Sequence, residues 1–273
     1  MASRVKELDQ LYILEELPEN KIYPMLKALE EIERLEEVSI NKNPTTWDKE
    51  SSSKLTRIGF LNTRSLVHKF DNIKSDLSLQ QSDVMILAET WVKEEEDTDK
   101  KFELNKFEAH LNKGGRGKGL AVFYKQEFMQ PEDLNEVNMN ITKIESQDVD
   151  IIAIYRSQEG KLSSLVNKLE SLIDFSKTTL IIGDMNICNR KKTKNLLKTY
   201  LEGKTFNLIV TKSTHIDGGH IDHAYLMNKG NFEDIPDVEI VPKYYSDHDA
   251  ICISLKKREV TMNGGSGLSE SKE

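Results

Sequence analysis

The 273-residue sequence has no run of about 18 apolar residues, the length that a membrane-spanning helix needs. Its opening stretch, MASRVKELDQ, lacks the apolar core of a signal peptide. Cysteine is scarce: only Cys188 and Cys252 occur, which argues against a disulfide framework. We therefore expect an intracellular protein of a reducing compartment, the cytosol or the nucleus, with no membrane partner.

Cysteine and histidine nowhere show the spacing of a zinc site. Three histidines, His215, His220 and His223, do stand close together in the sequence. Because side chains alternate along a strand, His220 and His223 would lie on opposite faces of it. We predict that all three are coil or surface residues.

The sequence also lacks a nucleotide-binding loop. Its Gly-rich segment GGRGKG at residues 114–119 fails that pattern, because Gly119 follows Lys118 where Ser or Thr is required. The flanking stretches FEAHLNK and LAVFY are typical of a hairpin with this segment as its loop. We predict that Arg116 and Lys118 contact substrate phosphates.

A strongly basic composition, which would indicate a nucleic-acid partner, is absent, since the net charge is −8. The excess of acidic residues is unevenly distributed along the chain. Residues 1–50 hold 7 Lys/Arg against 12 Asp/Glu, whereas the other residues hold 31 against 34. Charge therefore neither indicates nor excludes DNA binding, because some acidic groups could be metal ligands.

Composition divides the chain into four segments. Residues 1–45 contain a short apolar run and then leucines at helical spacing, which predicts a short helical segment. The stretch INKNPTTWDKESSSK is rich in Asn, Ser and Thr and predicts a linker, which we place at 46–55. The main domain is predicted at 56–258, and a polar, flexible tail at 259–273.

The main domain alternates strands with helices. RIGFLN, DVMILAE, VDIIAIY and TLIIGD are short apolar runs typical of buried strands. Between them, leucines and other apolar residues recur at helical spacing. The members of these two helical faces are Leu66, Phe70, Ile73, Leu77 and Leu162, Leu165, Leu169, Leu172. The pattern predicts an α/β domain in which helices cover sheets.

Polar side chains follow these strands at the point where each strand ends. They are Asn62, Glu89, Tyr155, Asp184, Asn186, Asp222, Asp247 and His248. A rigid sheet fixes the spacing of such residues, and the loops around them leave room for substrate. The alternative is that each one is an ordinary turn or cap residue, but so many strand ends are hard to explain as caps.

The chemistry that these residue types support is metal-assisted hydrolysis of a phosphodiester. Carboxylate and amide oxygens are hard ligands that suit Mg²⁺ or Mn²⁺. Such an ion would neutralise the phosphate, while a histidine oriented by an aspartate and a nearby Asp or Asn would position and deprotonate water.

Six segments, in this order, resemble the endonuclease/exonuclease/phosphatase superfamily, and in particular the endonuclease domains of mobile elements. They are FLNTRSL, ILAETWV, IYRSQ, IIGDMNI, STHIDGGHIDHAYL and YYSDHDAI. The resemblance covers about residues 56–256. It implies a four-layer αββα sandwich, similar to deoxyribonuclease I, with the site where loops of the two sheets meet.

The resemblance also implies roles for individual residues. Glu89 is expected to be the principal metal ligand, with Asn62 beside it and Asp247 as the last carboxylate near the metal. Arg156, which follows Tyr155 in IYRSQ, is expected to bind substrate.

The remaining matched positions would carry the reaction itself. Asp184 and Asn186 would orient and activate the attacking water. His248, paired with Asp222, would contact the phosphate, and Tyr155 would donate a hydroxyl on the phosphate side.

The N-terminal segment has a separate resemblance. SRVKELDQLYILEELPENKIYPMLKALEEIERL is similar to the C-terminal end of helicases of the Pif1 type, in which an arginine matched by Arg4 reaches ATP. No phosphate-binding loop accompanies it, so we expect no ATP partner. A helicase end followed by an endonuclease resembles the C-terminal part of Helitron transposases.

These observations predict a Mg²⁺- or Mn²⁺-dependent DNA endonuclease of transposable-element origin, located in the nucleus. One alternative keeps the same site but acts on abasic DNA, RNA or a small phosphorylated substrate. The other alternative is an inactive relic that binds DNA or a protein partner.

Overall fold

Two six-stranded sheets and their flanking helices make up the described part of the computed structural model, residues 55–95, 101–188 and 195–258. The predicted segment 1–45 and the predicted tail 259–273 lie outside these residues, as does all of the predicted linker except Leu55, at which the first strand begins. No helix in the described ranges is long and apolar enough to cross a membrane.

The elements are numbered in chain order. They are β1 (Leu55–Asn62), α1 (Leu66–Ser75), α2 (Leu77–Gln80), β2 (Val84–Ala88), β3 (Glu108–Asn112), β4 (Leu120–Tyr124), β5 (Glu132–Asp133), β6 (Met139–Ile144), β7 (Asp150–Arg156), α3 (Leu162–Leu172), β8 (Thr179–Asp184), α4 (Leu196–Gly203), β9 (Asn207–Leu208), β10 (Asp222–Met227), β11 (Asp237–Val241) and β12 (Ala250–Lys256).

The two sheets share one topology. The first has the order β11-β12-β1-β2-β4-β3, and the second has the order β9-β10-β8-β7-β6-β5. In each sheet the only parallel pair among the described strands is central, β1 with β2 and β7 with β8, and every other neighbour is antiparallel. A parallel pair needs a crossover, which α1 and α2 supply in the first sheet and α3 in the second.

Alternation along the strands produces four layers, αββα, as predicted. Ile58 and Phe60 of β1 belong to the apolar cluster that also contains Ile151 and Ile182 of the second sheet, so this cluster fills the space between the sheets. Leu61 faces the other way and packs in the cluster that includes residues of α1 and α2. A third cluster joins the second sheet to α3 and α4.

The predicted helix faces are partly confirmed. Leu165 and Leu169 of α3 are buried, as are Leu66 and Ile73 of α1. Leu77 was expected on the same face as Leu66, but α1 ends at Ser75 and the Leu77 side chain is 75% exposed. The helical pattern was extended one turn too far, because Asp76 caps a new short helix by accepting bonds from Ser78 N and Leu79 N.

The predicted hairpin around the Gly-rich segment is confirmed by the antiparallel pairing of β3 with β4.

The two sheets direct polar residues at their strand ends into the space between them. Asn62 continues the inward-facing series Ile58 and Phe60, and Asp184 continues the inward-facing series Leu180 and Ile182. Asp184 also stands opposite Asp222 in the β8–β10 register and opposite Tyr155 in the β7–β8 register. The core between the sheets therefore ends in a group of polar side chains.

Candidate active site

Asn62 joins the two sheets at this end. Its side chain is fully buried, and Nδ2 donates to Glu89 Oε1 at 3.1 Å and to Asp184 Oδ2 at 2.9 Å. The carboxamide oxygen Oδ1 accepts the backbone N–H of Arg64 at 3.1 Å. Three residues that the sequence predicted for one site are therefore in direct contact.

Glu89 is held by a strained backbone segment after β2. Its φ is +49° and that of Trp91 is +59°, a region that residues with a side chain rarely adopt. The Gly-rich loop stabilises this segment, because Trp91 N donates to Lys118 O at 3.1 Å. The Trp91 indole Nε1 also donates to Glu89 Oε2 at 3.2 Å, which fixes the carboxylate from the side opposite Asn62.

Asp184 and Asn186 form a tight turn at the end of β8. Asn186 has φ +50°, and its backbone N–H donates to Asp184 Oδ1 at 2.8 Å. Its side-chain Nδ2 donates to Arg156 O at 2.8 Å. Burial and the charge of the neighbouring Asp222 raise the pKa of Asp184, so this carboxylate has an increased affinity for a proton.

Asp222 and His248 form the predicted pair. His248 Nδ1 lies 2.8 Å from Asp222 Oδ2, and both side chains are buried. Burial alone would lower the pKa of His248, but the hydrogen bond and charge of Asp222, with help from Asp184 and Asp247, raise it to about 9. The imidazole is therefore a cation at neutral pH, and Nε2 remains to donate to an anion.

Tyr155 lies on the inner face at the end of β7. Burial, the nearby charges of Glu89 and Asp184 and a hydrogen bond to Glu89 raise the pKa of its hydroxyl. The hydroxyl consequently stays protonated at neutral pH and is able to donate a hydrogen bond; the donation to a phosphate that the resemblance implies stays a prediction.

Asp247 adjoins the same group but has a partner that we did not predict. Its Oδ2 accepts a hydrogen bond from Arg64 Nη1, and His215 Nε2 lies 3.6 Å from the same oxygen. Burial alone would raise the pKa of Asp247, but Arg64 and the charge of His248 lower it. The carboxylate is thus ionised and paired with a cation.

The structure does not support the predicted contact between Arg156 and substrate. This guanidinium is buried, and its N–H groups donate to backbone carbonyls, including Met185 O at 2.7 Å and Gly160 O at 2.5 Å. These hydrogen bonds direct the guanidinium into the protein, where it connects the loop after β7 to the turn after β8. Arg156 therefore positions Asn186, and its guanidinium is buried against carbonyls of the described residues.

Arg116 and Lys118 lie on the Gly-rich loop beside Glu89. Arg116 is exposed, and its guanidinium carbon is 5.6 Å from the centroid of the Trp91 ring. Lys118 Nζ donates to Asn138 Oδ1 at 3.2 Å. Their place beside the site agrees with a substrate contact, which stays a prediction.

The prediction that these histidines are coil or surface residues is wrong for His223, which lies in β10, whereas His220 lies outside the strands as predicted. His220 and His223 are buried, and their ring centroids are 5.3 Å apart. The expected alternation fails because β10 begins only at Asp222, so His220 lies in the preceding turn. His223 Nε2 faces Ile187 O at 2.9 Å, which gives it a structural partner in the described residues.

The donor set of the site fits a divalent cation. Asp184, Asp222 and His248 offer ligand atoms within 4.8 Å of one another, and the buried Asp222 Oδ1 has no hydrogen-bond partner in the described part of the chain. Glu89 and Asn62 add hard oxygens, which suit Mg²⁺ or Mn²⁺. Asn62 now points Nδ2 toward the carboxylates, so its carboxamide would have to turn before Oδ1 could bind a metal.

Sequence reasoning missed three residues of this region: Arg64, Trp91 and His215. Arg64 and Trp91 each stand two positions after a predicted site residue, in FLNTRSL and ILAETWV. Proximity in sequence was a usable signal for both of them. His215 gave no such signal, because its contact with Asp247 depends on how the loop before β10 folds.

The fold and this group of side chains define a hydrolase of the nuclease and phosphatase type. A sequence profile described as the endonuclease/exonuclease/phosphatase family matches residues 59–248, more than half of the chain. This chain therefore belongs to the endonuclease/exonuclease/phosphatase family, whose members are divalent-metal-dependent hydrolases.

Solved structures agree with this assignment at the level of fold. An AP endonuclease from Archaeoglobus fulgidus superposes with a TM-score of 0.57 at 16% identity, covering 72% of this chain and 98% of its own. The 3′-5′ exonuclease NExo from Neisseria meningitidis gives a TM-score of 0.59 at 13% identity, covering 74% and 100%.

The endonuclease domain of TRAS1, a telomere-specific non-LTR retrotransposon, gives a TM-score of 0.53 at 12% identity, covering 75% of this chain and 100% of that domain. Among curated proteins, no sequence matches the chain significantly.

Proposed function

We propose that the chain is a Mg²⁺- or Mn²⁺-dependent DNA endonuclease that nicks one strand and leaves a 3′-hydroxyl group. The observation that carries the proposal is the contact between the two sheets at Asn62, with the Asp222–His248 pair beside it. These contacts bring carboxylates and a cationic imidazole, the groups that phosphodiester hydrolysis uses, to one inner-face site.

Each polar group has a task that its environment favours. Asp184 accepts a proton from the attacking water, and Asn186, whose backbone N–H donates to Asp184 Oδ1, orients that water. The imidazolium of His248 donates to a phosphate oxygen and stabilises the charge that develops there. The Tyr155 hydroxyl supplies a further donor.

A divalent cation would be held by Glu89 together with Asn62, and it would act as a Lewis acid on the phosphate and the leaving oxygen. Trp91 and the Gly-rich loop keep Glu89 in place for this task. The exposed Arg116 on the same loop is available to a neighbouring phosphate of the substrate.

A transposable-element origin, with DNA as the partner and the nucleus as the location, is part of the same proposal. Its support is the order of the sequence segments around the site and the fold shared with a retrotransposon endonuclease domain. The Helitron relation depends on residues 1–45, which lie outside the described ranges.

The test is nicking of supercoiled plasmid by the purified chain, with Mg²⁺ and with EDTA. We expect open circles only with Mg²⁺, and closure of those nicks by a ligase that requires a 3′-hydroxyl and a 5′-phosphate. Glu89→Gln serves as the inactive control, because it removes one anionic ligand at nearly constant shape.

Parallel reactions on abasic duplex, on RNA and on bis(p-nitrophenyl) phosphate identify the preferred substrate. Intact plasmid with rapid cleavage of one of these would replace DNA nicking by that activity. Plasmid binding without cleavage of any substrate would support the inactive relic.

A further inference from the structure

Two side chains that the sequence did not predict for the site, Arg64 and His215, meet at the carboxylate of Asp247, and we call these three residues the Asp247 cluster. Arg64 Nη1 donates to Asp247 Oδ2, and His215 Nε2 is 3.6 Å from that oxygen. The His215 ring also packs edge-on against His248, with centroids 4.8 Å apart. The cluster therefore adjoins the imidazole that faces the reacting phosphate in the proposed function.

The backbone at Arg64 has an unusual conformation that hydrogen bonds hold in place. Arg64 has φ +43° and the next residue, Ser65, has φ +104°, so two consecutive non-glycine residues adopt left-handed conformations. Hydrogen bonds maintain this segment, from Ser65 N to Glu89 O at 2.8 Å and from Arg64 N to Asn62 Oδ1 at 3.1 Å. Strain of this kind is typical of functional sites.

His215 completes the cluster through a defined tautomer. Its Nδ1 accepts the backbone N–H of Asp217 at 3.1 Å, so in the neutral ring Nε2 carries the proton and faces Asp247. The loop itself is fastened to Asp247, whose carbonyl accepts the N–H of Ile216 at 2.9 Å. Nδ1 thus has a backbone partner, and Nε2 lies near the Asp247 carboxylate, where a protonated His215 would attract it. His215, Asp247 and His248 also offer ligand atoms within 4.8 Å of one another.

Arg64 differs from its two neighbours in exposure. Its side chain is 54% exposed, against 22% for Asp247 and 18% for His215. The bond to Asp247 uses one N–H of a guanidinium that has several, in a planar arrangement that matches two phosphate oxygens. A fixed and partly exposed guanidinium beside His248 is suited to a phosphate.

The same contacts change the role expected for Asp247. A divalent cation bound at Oδ2 would stand against the Arg64 guanidinium, where like charges repel at short range. The other oxygen, Oδ1, is buried and accepts no hydrogen bond within the described residues. Metal binding at Oδ1 is therefore the competing hypothesis that an experiment has to separate.

We propose that Arg64 is a phosphate-binding residue of the active site, that it contacts a non-bridging oxygen of the reacting phosphodiester, and that Asp247 and His215 position it. The inference deepens the proposed function and rests on it. Asp247 then acts through Arg64 and does not bind the metal.

The first experiment replaces Arg64 by Gln, which keeps length without charge, and by Lys, which keeps charge without the planar fork. We expect Arg64→Gln to lower kcat/KM by about 10²-fold and Arg64→Lys to recover part of that loss. The matched control is Arg258→Gln, because Arg258 also pairs with an aspartate, Asp234, and is 47% exposed. The control should keep wild-type rates.

Two substrates distinguish an Arg64 contact with the reacting phosphate from a contact with a neighbouring phosphate. Plasmid DNA has phosphates on both sides of the cleaved bond, whereas bis(p-nitrophenyl) phosphate has a single phosphodiester. The proposal requires the loss in Arg64→Gln on both substrates. A loss confined to DNA, or wild-type rates on both, would overturn it while leaving the proposed function intact.

The role of Asp247 is tested without turnover, by titrating Mn²⁺ and following its electron paramagnetic resonance signal. Asp247→Asn and Arg64→Gln should keep the wild-type Mn²⁺ affinity, whereas Glu89→Gln should weaken it. The double variant Arg64→Gln/Asp247→Asn should cleave no more slowly than Arg64→Gln alone. Weakened Mn²⁺ binding in Asp247→Asn would make Asp247 a ligand and overturn the inference, and a wild-type chain inert on every substrate would overturn it together with the proposed function.

Discussion

Asn62 Nδ2 lies 2.9 Å from Asp184 Oδ2, so a single carboxamide connects the first sheet to the second where their acidic residues meet. The same nitrogen donates to Glu89 Oε1 at 3.1 Å. The positions of Glu89 and Asp184 are therefore coupled, although they come from different sheets. Substitutions at Glu89 and Asp184 should therefore act on one another.

Glu89→Gln should abolish metal-dependent cleavage and leave the fold intact. The substitution preserves shape but removes an anionic ligand, and we expect a rate loss of at least about 10²-fold. Nicking rates and thermal melting of the variant measure the two effects. Glu127→Gln, at an exposed position, is the control, and wild-type cleavage by Glu89→Gln would remove Glu89 from the site.

His248→Ala and Asp222→Asn should each slow single-turnover nicking, because Asp222 orients the imidazole and favours its charged form. Loss of such a group costs about 10²–10³-fold in rate, on the order of 3–4 kcal/mol. The double variant should be far less than multiplicatively worse, since coupled groups act as one unit. Fully additive barriers would show that the two residues work independently.

Trp91→Phe should weaken metal binding, because it keeps an aromatic ring but removes the N–H that holds Glu89 Oε2 at 3.2 Å. Partners that orient a metal ligand typically contribute about 10–100-fold in affinity or activity. Mn²⁺ titration gives the affinity. Arg116→Ala removes the cation above the ring and keeps the N–H bond, so equal affinities in the two variants would contradict this role for Trp91.

Gly183→Ala should destabilise the fold next to the site. A Cβ at Gly183 would lie 1.8 Å from Ile154 O on β7, so β7 and β8 would have to separate. Overpacking of this kind costs about 1–3 kcal/mol, and here we expect at least the upper end. Urea unfolding measures it against Gly203→Ala, where a Cβ meets nothing within 4 Å; similar stabilities of the two variants would contradict the close approach.

Protonation of His223 should lower the free energy of unfolding in mild acid. Burial lowers its pKa to about 4, below the unfolded value of about 6.5. The unfolded chain therefore binds the proton first, and stability that is complete above pH 6.5 is lost as pH falls toward 4. The loss between about pH 7.5 and pH 5 is on the order of 2 kcal/mol.

Urea unfolding at these two pH values tests the prediction. His223→Gln should show a smaller pH dependence of the free energy of unfolding than the wild type. An unchanged pH dependence in His223→Gln would assign the acid sensitivity to other groups.

The strand ends of the site were predictable because two local signals agree there, the apolar runs of the strands and the alternation of side chains along them. Apolar runs located β1, β7 and β8, and the period of two places Asn62 and Asp184 on the face that their apolar neighbours bury. Local pattern was sufficient since each of these residues belongs to a strand or follows one directly.

The loops could not be predicted in the same way. Sequence gave no means of deciding that Arg156 turns inward to backbone carbonyls while Arg64 reaches Asp247, 183 positions away in the chain. For His223, the prediction of a coil or surface residue failed because β10 begins at Asp222 and buries this side chain. Contacts of high sequence separation and left-handed loop residues carry no local periodicity, so they appear only in three dimensions.

The last described strand, β12, pairs with β1 in the middle of the first sheet, and Asp247 and His248 directly precede it. A ribosome delivers the N-terminal part of a chain first, so Asn62 and Glu89 emerge long before the imidazole that completes the hydrolytic centre. Nascent chains therefore contain no complete site until β12 has emerged and docked. Under the proposed function, a nascent or truncated chain that lacks β12 would not cleave nucleic acids.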